Sequence, residues 1–118
     1  MIAVIFEVWP AEGRKSDDMD HAARLRADLD SMDGFISVER FQSLTDSGTL
    51  LALSFWRDDA AVAGWRAHTE HRLTQAAGRA SVFRDYRLRV AAVLRDYGMR
   101  ERREQAPGDS RAEHDGAR

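Results

Sequence analysis

Cysteine is absent from the 118 residues, which excludes disulfides, thiolate metal sites and a cysteine nucleophile. An excess of one charge sign is absent too. Eighteen Lys and Arg face 20 Asp and Glu, a net charge of −2, so the balance draws the chain neither to nucleic acid nor to an acidic membrane. The arginines Arg24, Arg26, Arg66 and Arg72 read as solvated helix faces, and Arg100, Arg102 and Arg103 are interleaved with Glu101 and Glu104. Long apolar runs are missing. The apolar start, Met1 to Phe6, has no basic segment ahead of it and meets Glu7, so it predicts a strand rather than a leader or a membrane span. The chain therefore reads as cytoplasmic. Neither a GxGxxG fingerprint nor a phosphate loop is present, and no serine occupies a strand-turn-helix elbow. His68 and His71 form a His-x-x-His pair with no third ligand. Glu70 points elsewhere on the helix and His21 belongs to another one, so neither a metal nor an organic cofactor is expected.

What is present has the size of one domain with a core of its own. Ile2, Val4, Phe6 and Val8 alternate with Ala3, Ile5, Glu7 and Trp9, predicting a first strand that Pro10 and Gly13 end. Ser16 or Asp17 can cap a first helix, whose apolar stripe is Met19, Ala22, Leu25, Leu29 and Met32. Gly34 is its C′ residue, with Phe35 as the apolar contact beyond. Phe35 to Gln42 predicts strand two, Thr45 to Gly48 a turn, and Thr49 to Trp56 a largely apolar central strand three. Asp58 or Asp59 caps a second helix with Val62, Trp65, Thr69, Leu73 and Ala76 on one side, and Gly78 ends or breaks it. Val82 to about Tyr97 predicts a long last strand with Tyr86, Leu88, Val90, Ala92 and Leu94 on one face.

The order β-α-β-β-α-β is the ferredoxin-like split arrangement, an α+β fold with a four-stranded antiparallel sheet and both helices on one face. It covers residues 1–97. Residues 98–118 are charged and poor in large apolar groups and read as a flexible tail, with a short helix over Met99 to Gln105. The helix-free face carries Ile5, Trp9, Ala91 and Val93 together with Glu7, Arg87 and Arg89. A monomer would leave that patch wet, so a homodimer packed sheet to sheet is expected, with charge pairs in its seam.

Trp65, His68 and His71 recur at i, i+3 and i+6 and so line one broad side of the second helix. Rings that stack and imidazoles that move protons near neutral pH are gathered there, beside the sheet. Each residue also has a plainer reading. Trp65 can anchor helix to sheet, either histidine can be solvated, and the Tyr86 hydroxyl can orient a ligand or meet a backbone partner. Phe6, Phe55 and Phe83 read as core or cleft wall. Phe83 and Tyr86 do not share a face of a regular strand.

Met32-Asp33-Gly34-Phe35, Leu53-Ser54-Phe55-Trp56, Trp65-x-x-His68-x-x-His71, Gly78-Arg79 and Phe83-x-x-Tyr86 carry a family resemblance. Over residues 1–97 the chain resembles the antibiotic biosynthesis monooxygenase domain family of the dimeric α+β barrel group. The resemblance implies the ferredoxin-like dimer and three activities: cofactor-free oxygenation of electron-rich aromatics to quinones, haem degradation, and quinol turnover in metabolic or stress-related members. The haem-degrading branch uses Asn, Trp and His at positions that match Phe6 or Glu7, Trp65 and Gln75 here. Two of the three are absent, which disfavours that activity. The resemblance thus implies an oxygenase acting on a small aromatic, quinol-like molecule with O₂ and no cofactor. Trp65, His68 and His71 would be catalytic, and Tyr86, Phe6 and Phe55 would contact the substrate. The alternative is a non-catalytic or orphan dimeric domain that binds a small molecule, and a cyclase or isomerase of polyketide-like substrates is a more remote one.

Overall fold

The computed structural model describes residues 1–13, 26–77 and 83–109, with the side chains of residues 70–77 and of Phe83 outside the description. Four strands form one antiparallel sheet: β1 (Ile2–Pro10), β2 (Phe35–Gln42), β3 (Leu50–Trp56) and β4 (Phe83–Ala92). Their spatial order is β2-β3-β1-β4. Helix α1 is described over residues 26–29, and α2 spans Asp59–Ala77. The fold is the α+β, ferredoxin-like one that the order of elements predicts. The start of the first helix, the Ser16 or Asp17 cap and Gly78 lie outside the described residues.

Register assigns the faces. Val4 pairs with Ser54 on one side and Val90 on the other, Phe6 with Ala52 and Leu88, and Val8 with Leu50 and Tyr86. Alternation puts Ile2, Val4, Phe6 and Val8 on the face that meets the helices. There Val4, Trp56, Val62, Trp65 and Leu29 form the core, with Ile2, Phe35, Val38 and Leu88 packed against it. Trp56 and Val62 are fully buried. Trp56 brings a polar N–H into that core, and its Nε1 donates to Ser54 Oγ at 2.9 Å, two residues back on the same face. This pairing explains why a serine is buried in an otherwise apolar strand.

The turn into β2 and the start of α2 are latched together. Gly34 has φ +83, the left-handed geometry that favours glycine, but α1 ends at residue 29, so Gly34 shapes the turn into β2 and is not the helix C′ residue expected. A methyl group there would also stand 2.5 Å from Ala61 Cβ. The Arg57 amide donates to Gly34 O at 2.8 Å. The Arg57 guanidinium forks onto Asp33 at 2.9 and 3.2 Å and reaches Asp58 at 3.1 Å. Asp58 Oδ1 accepts from the Ala61 amide at 2.9 Å, so Asp58 is the N-cap of α2. These donors hold the carboxyls of Asp33 and Asp58 below their ordinary 3.8, chiefly through the Arg57 hydrogen bond for Asp33 and the Ala61 amide for Asp58.

The last strand is shorter than its pattern predicts. β4 pairs only with β1, and Ala92 already meets Ile2. One further bond extends the contact, from the Val93 amide to Met1 O at 3.1 Å, and the ladder stops there. The helix predicted over Met99 to Gln105 is a 3-10 turn, Arg103–Gln105. Asp96 fastens it, accepting from Arg102 at 3.1 Å and donating its amide to Gln105 Oε1 at 3.2 Å. On the helix-free face, Arg89 Nη1 donates to Glu7 Oε1 within the chain.

Candidate active site

A string of rings crosses the helix-covered face from β2 to β4. Phe35 meets Trp56 at a centroid distance of 5.3 Å, Trp56 meets Trp65 at 5.8 Å, Trp65 meets Phe6 at 6.5 Å, and Phe6 meets Tyr86 at 5.7 Å. Three of the four contacts are edge-on, the arrangement that ring quadrupoles favour. Burial changes along the string. Trp56 is fully covered and Trp65 is 8% exposed, while Tyr86 is 48% exposed at the far end. Beside Tyr86 on the same face of β4, Val90 is 40% exposed. The rings therefore run from the packed core to an apolar shelf open along β4.

Trp65 takes the plainer of its two sequence-based roles: it anchors α2 to the sheet through Trp56 and Phe6. His68, one turn along α2, turns toward α1. Its Nε2 stands 3.1 Å from Asp28 Oδ2, with both side chains about one-third exposed. With Asp28 ionised as acceptor, Nε2 carries the hydrogen and a neutral imidazole keeps its lone pair on Nδ1. This carboxylate-oriented imidazole is an arrangement suited to general-base work. His71 lies on α2, but its side chain is among those outside the description.

Phe6 is central to the string, and Tyr86 forms its open end. Phe55 does not join them. It pairs with Ala3 and Ser37, between Ser54 and Trp56, and so points to the helix-free face. The expectation that Phe55 lines the same cleft as Phe6 and Tyr86 is corrected on register alone. Two polar residues of the helices were not singled out by the sequence reading. Asp28 is 40 positions from His68, and no local pattern links them. Thr69 did carry a signal, as the hydroxyl in an otherwise apolar stripe. It is 3% exposed, and its Oγ1 has no hydrogen-bond partner among the described residues. Also among the described residues, no three His, Asp or Glu side chains gather as a metal site, and no helix is long and apolar enough to cross a membrane.

A ferredoxin-like α+β domain with an aromatic string under its second helix defines the class of protein. The family follows from comparison. A family model described as antibiotic biosynthesis monooxygenase matches residues 1–77, and the chain belongs to that family. It is 37% identical over 115 residues to a protein named jasmonate monooxygenase ABM from Pyricularia oryzae, covering 98% of this chain and 54% of the relative. It is 36% identical over 62 residues to the uncharacterized YqjZ of Bacillus subtilis, covering 52% of this chain and 53% of that protein. The chain thus spans about half the length of the curated relatives it matches. Among solved structures, Rv0793 from Mycobacterium tuberculosis superposes with a TM-score of 0.68 at 21% identity, covering 82% of this chain and 98% of that one. SnoaB, a cofactor-independent oxygenase from Streptomyces nogalater, superposes with a TM-score of 0.66 at 13% identity, covering 80% and 94%. At these identities the two structures attest the fold.

Proposed function

We propose that the chain is a monooxygenase that oxidises an electron-rich, quinol-like aromatic with O₂ and without cofactor. The observation that carries this reading is the ring string ending on the exposed shelf of Tyr86 and Val90, with the His68–Asp28 pair one helical turn past Trp65. A flat aromatic laid on the shelf would meet Phe6 and Tyr86, with Trp65 closing its inner edge. For an anthrone-type substrate the reaction balances without a reductant. A ring CH₂ and O₂ become C=O and water, and the substrate supplies all four electrons. The first step is proton removal to form the electron-rich anion. His68 Nδ1 would accept that proton, and Asp28 would hold the ring and stabilise the imidazolium. A site that excludes water favours an anion held by fixed donors.

Two copies would pack through the helix-free faces. Ile5, Leu51, Leu53 and Phe55 share that face by register, with the Glu7–Arg89 pair among them. An apolar sheet face of this kind is unusual on a soluble monomer. Leu53→Arg would convert the dimer to monomer in sedimentation analysis, and a wild-type chain that sediments as a monomer would overturn the dimer.

The named relative from Pyricularia oryzae favours a second reading, in which the substrate is a jasmonate. The two separate on electrons. Inserting one oxygen atom from O₂ into a substrate that cannot surrender further electrons forms water from the other atom only if a reductant supplies two electrons. The test is oxygen uptake by metal-stripped protein with anthrone, naphthalenediols, and jasmonate with and without a reductant. Uptake with an aromatic and no reductant, lost in Trp65→Ala and reduced at least tenfold in His68→Ala, is the expected result. Uptake only with jasmonate plus reductant would replace the first reading with the second. No uptake above the protein-free rate would leave a ligand-binding domain.

A further inference from the structure

We infer that the hydroxyl of Thr69 is a substrate-binding group: it hydrogen-bonds an oxygen on the ring system that the shelf accepts, and so selects hydroxylated or keto-bearing aromatics over bare hydrocarbons. The inference rests on the aromatic reading of the same site and adds the polar contact that the ring string lacks.

Burial provides the first argument. Thr69 is 3% exposed, and its Oγ1 has no partner among the described residues. Most buried hydroxyls are paired, because an unmet one is destabilising, and a helical threonine usually has the carbonyl one turn back available. Thr69 forgoes that bond. Valine has nearly the same shape and would fill this core position without the loss. A hydroxyl left without a partner among the described residues at such a position is available to an outside one.

Placement provides the second. β3 runs antiparallel to β1 and leads into α2 through a tight turn, so α2 travels back along β1 in its direction. Val62 belongs to the core beside Val4, and Trp65 meets Phe6. Seven residues of helix advance about 10 Å, the length of roughly three strand residues. Thr69 therefore stands over the stretch of β1 from Phe6 to Val8. Val8 is directly opposite Tyr86 across the β1–β4 ladder, and both face the helices. The hydroxyl thus overlooks the outer end of the ring string, where Phe6 and Tyr86 meet.

Tyr86 supplies the way in. Its ring is half exposed and touches Phe6 edge-on at 5.7 Å. Rotation of an exposed ring is fast and opposed by little packing. Swinging it outward uncovers the region beneath Thr69, and an aromatic ligand can take the place of the tyrosine ring against Phe6. Its oxygen substituent then lies within reach of Oγ1, which can donate to a carbonyl or phenolate and accept from a hydroxyl.

The test compares naphthol with naphthalene, two ligands of the same ring system that differ by one oxygen, in NMR titrations of the full chain. Wild type should bind naphthol roughly tenfold to a hundredfold more tightly, the range expected when a buried group gains or lacks its partner. Thr69→Val should erase that preference by weakening naphthol alone, while leaving the melting temperature unchanged or raised. Thr69→Ser should keep the preference. If Thr69→Val leaves the naphthol-to-naphthalene ratio as in wild type while both bind, the role of Thr69 is overturned and the aromatic site stands. If neither compound binds wild type, the aromatic reading falls and this inference falls with it.

Discussion

The two ends of α2 are built on opposite terms. At its start, packing and capping are close. Trp56, Val62 and Val4 are fully buried, Gly34 admits no side chain, and Arg57 ties the β2 turn to the helix cap. One turn past Trp65, the same helix presents a buried hydroxyl with no partner among the described residues, over β1 and beside the edge strand β4, whose Tyr86 and Val90 are about half uncovered. A single domain has only a few kcal/mol of stability to spare. This one places its close packing at the start of α2 and leaves packing incomplete where, on the proposed reading, a ligand would complete it. The ring string joins the two ends, so Trp65 belongs to both.

The largest expected effect comes from breaking the packed end. Trp56→Ala removes a fully buried indole, two ring contacts and the partner of Ser54. It should destabilise by about 3–5 kcal/mol in denaturant titration. A loss under about 1 kcal/mol would mean that the core is not centred on β3. Gly34→Ala comes next. The added methyl group meets Ala61 at 2.5 Å and forces a side chain into φ +83, so the β2 turn and the helix start must part. Strain of this kind is worth about 1–3 kcal/mol. Gly48→Ala is the control, since its nearest neighbour would stand at 3.3 Å and is one atom of the Asp46 side chain.

The contrast between the ends also explains what could be foreseen. Periodicity located the strands and α2, because alternation in β1 and the Val62–Trp65–Thr69 stripe are local facts. Gly34 announced its backbone geometry by being a glycine after a helical stripe. The Phe55 expectation failed because β3 is apolar at nearly every position. A run without alternation does not say which residues face the helices, and only pairing with Ala3 and Ser37 settles it. Asp28 was illegible for a different reason. Its meeting with His68 depends on how the two helices lie side by side, which no spacing in the sequence encodes. The closed end is thus largely a product of local pattern, while the open end is a product of tertiary placement.

Tyr86→Ala should separate function from stability more sharply than any change at the packed end. The ring is half exposed and contacts Phe6 by one edge, so its loss should destabilise by only about 1 kcal/mol. On ligand binding the same change should act strongly, since it opens the shelf and removes a stacking edge. Faster association of naphthol, measured by stopped flow, is the expected result if Tyr86 gates the site. An unchanged association rate would make the tyrosine part of the floor instead.

The smallest effect belongs to the latch carboxylates, and its sign is set by the direction of their shifts. Asp33 and Asp58 are held below their ordinary 3.8 in the folded chain, by Arg57 and by the Ala61 amide respectively. Their contribution is present in full above that value and is lost as the pH falls through the lowered folded values. Replacing both by Asn should therefore flatten the fall in melting temperature on acidification below about pH 4. Asn at position 58 remains an acceptable cap, so the helix start is kept. Both carboxyls lie at the surface, where ion pairs are weak, and salt should shrink the difference between variant and wild type. An acid profile unaltered by the double change would show that packing around Trp56 and Gly34, without help from charge, holds the closed end. In either outcome the latch carboxyls titrate below 3.8, so they do not account for a change of activity between pH 6 and 8.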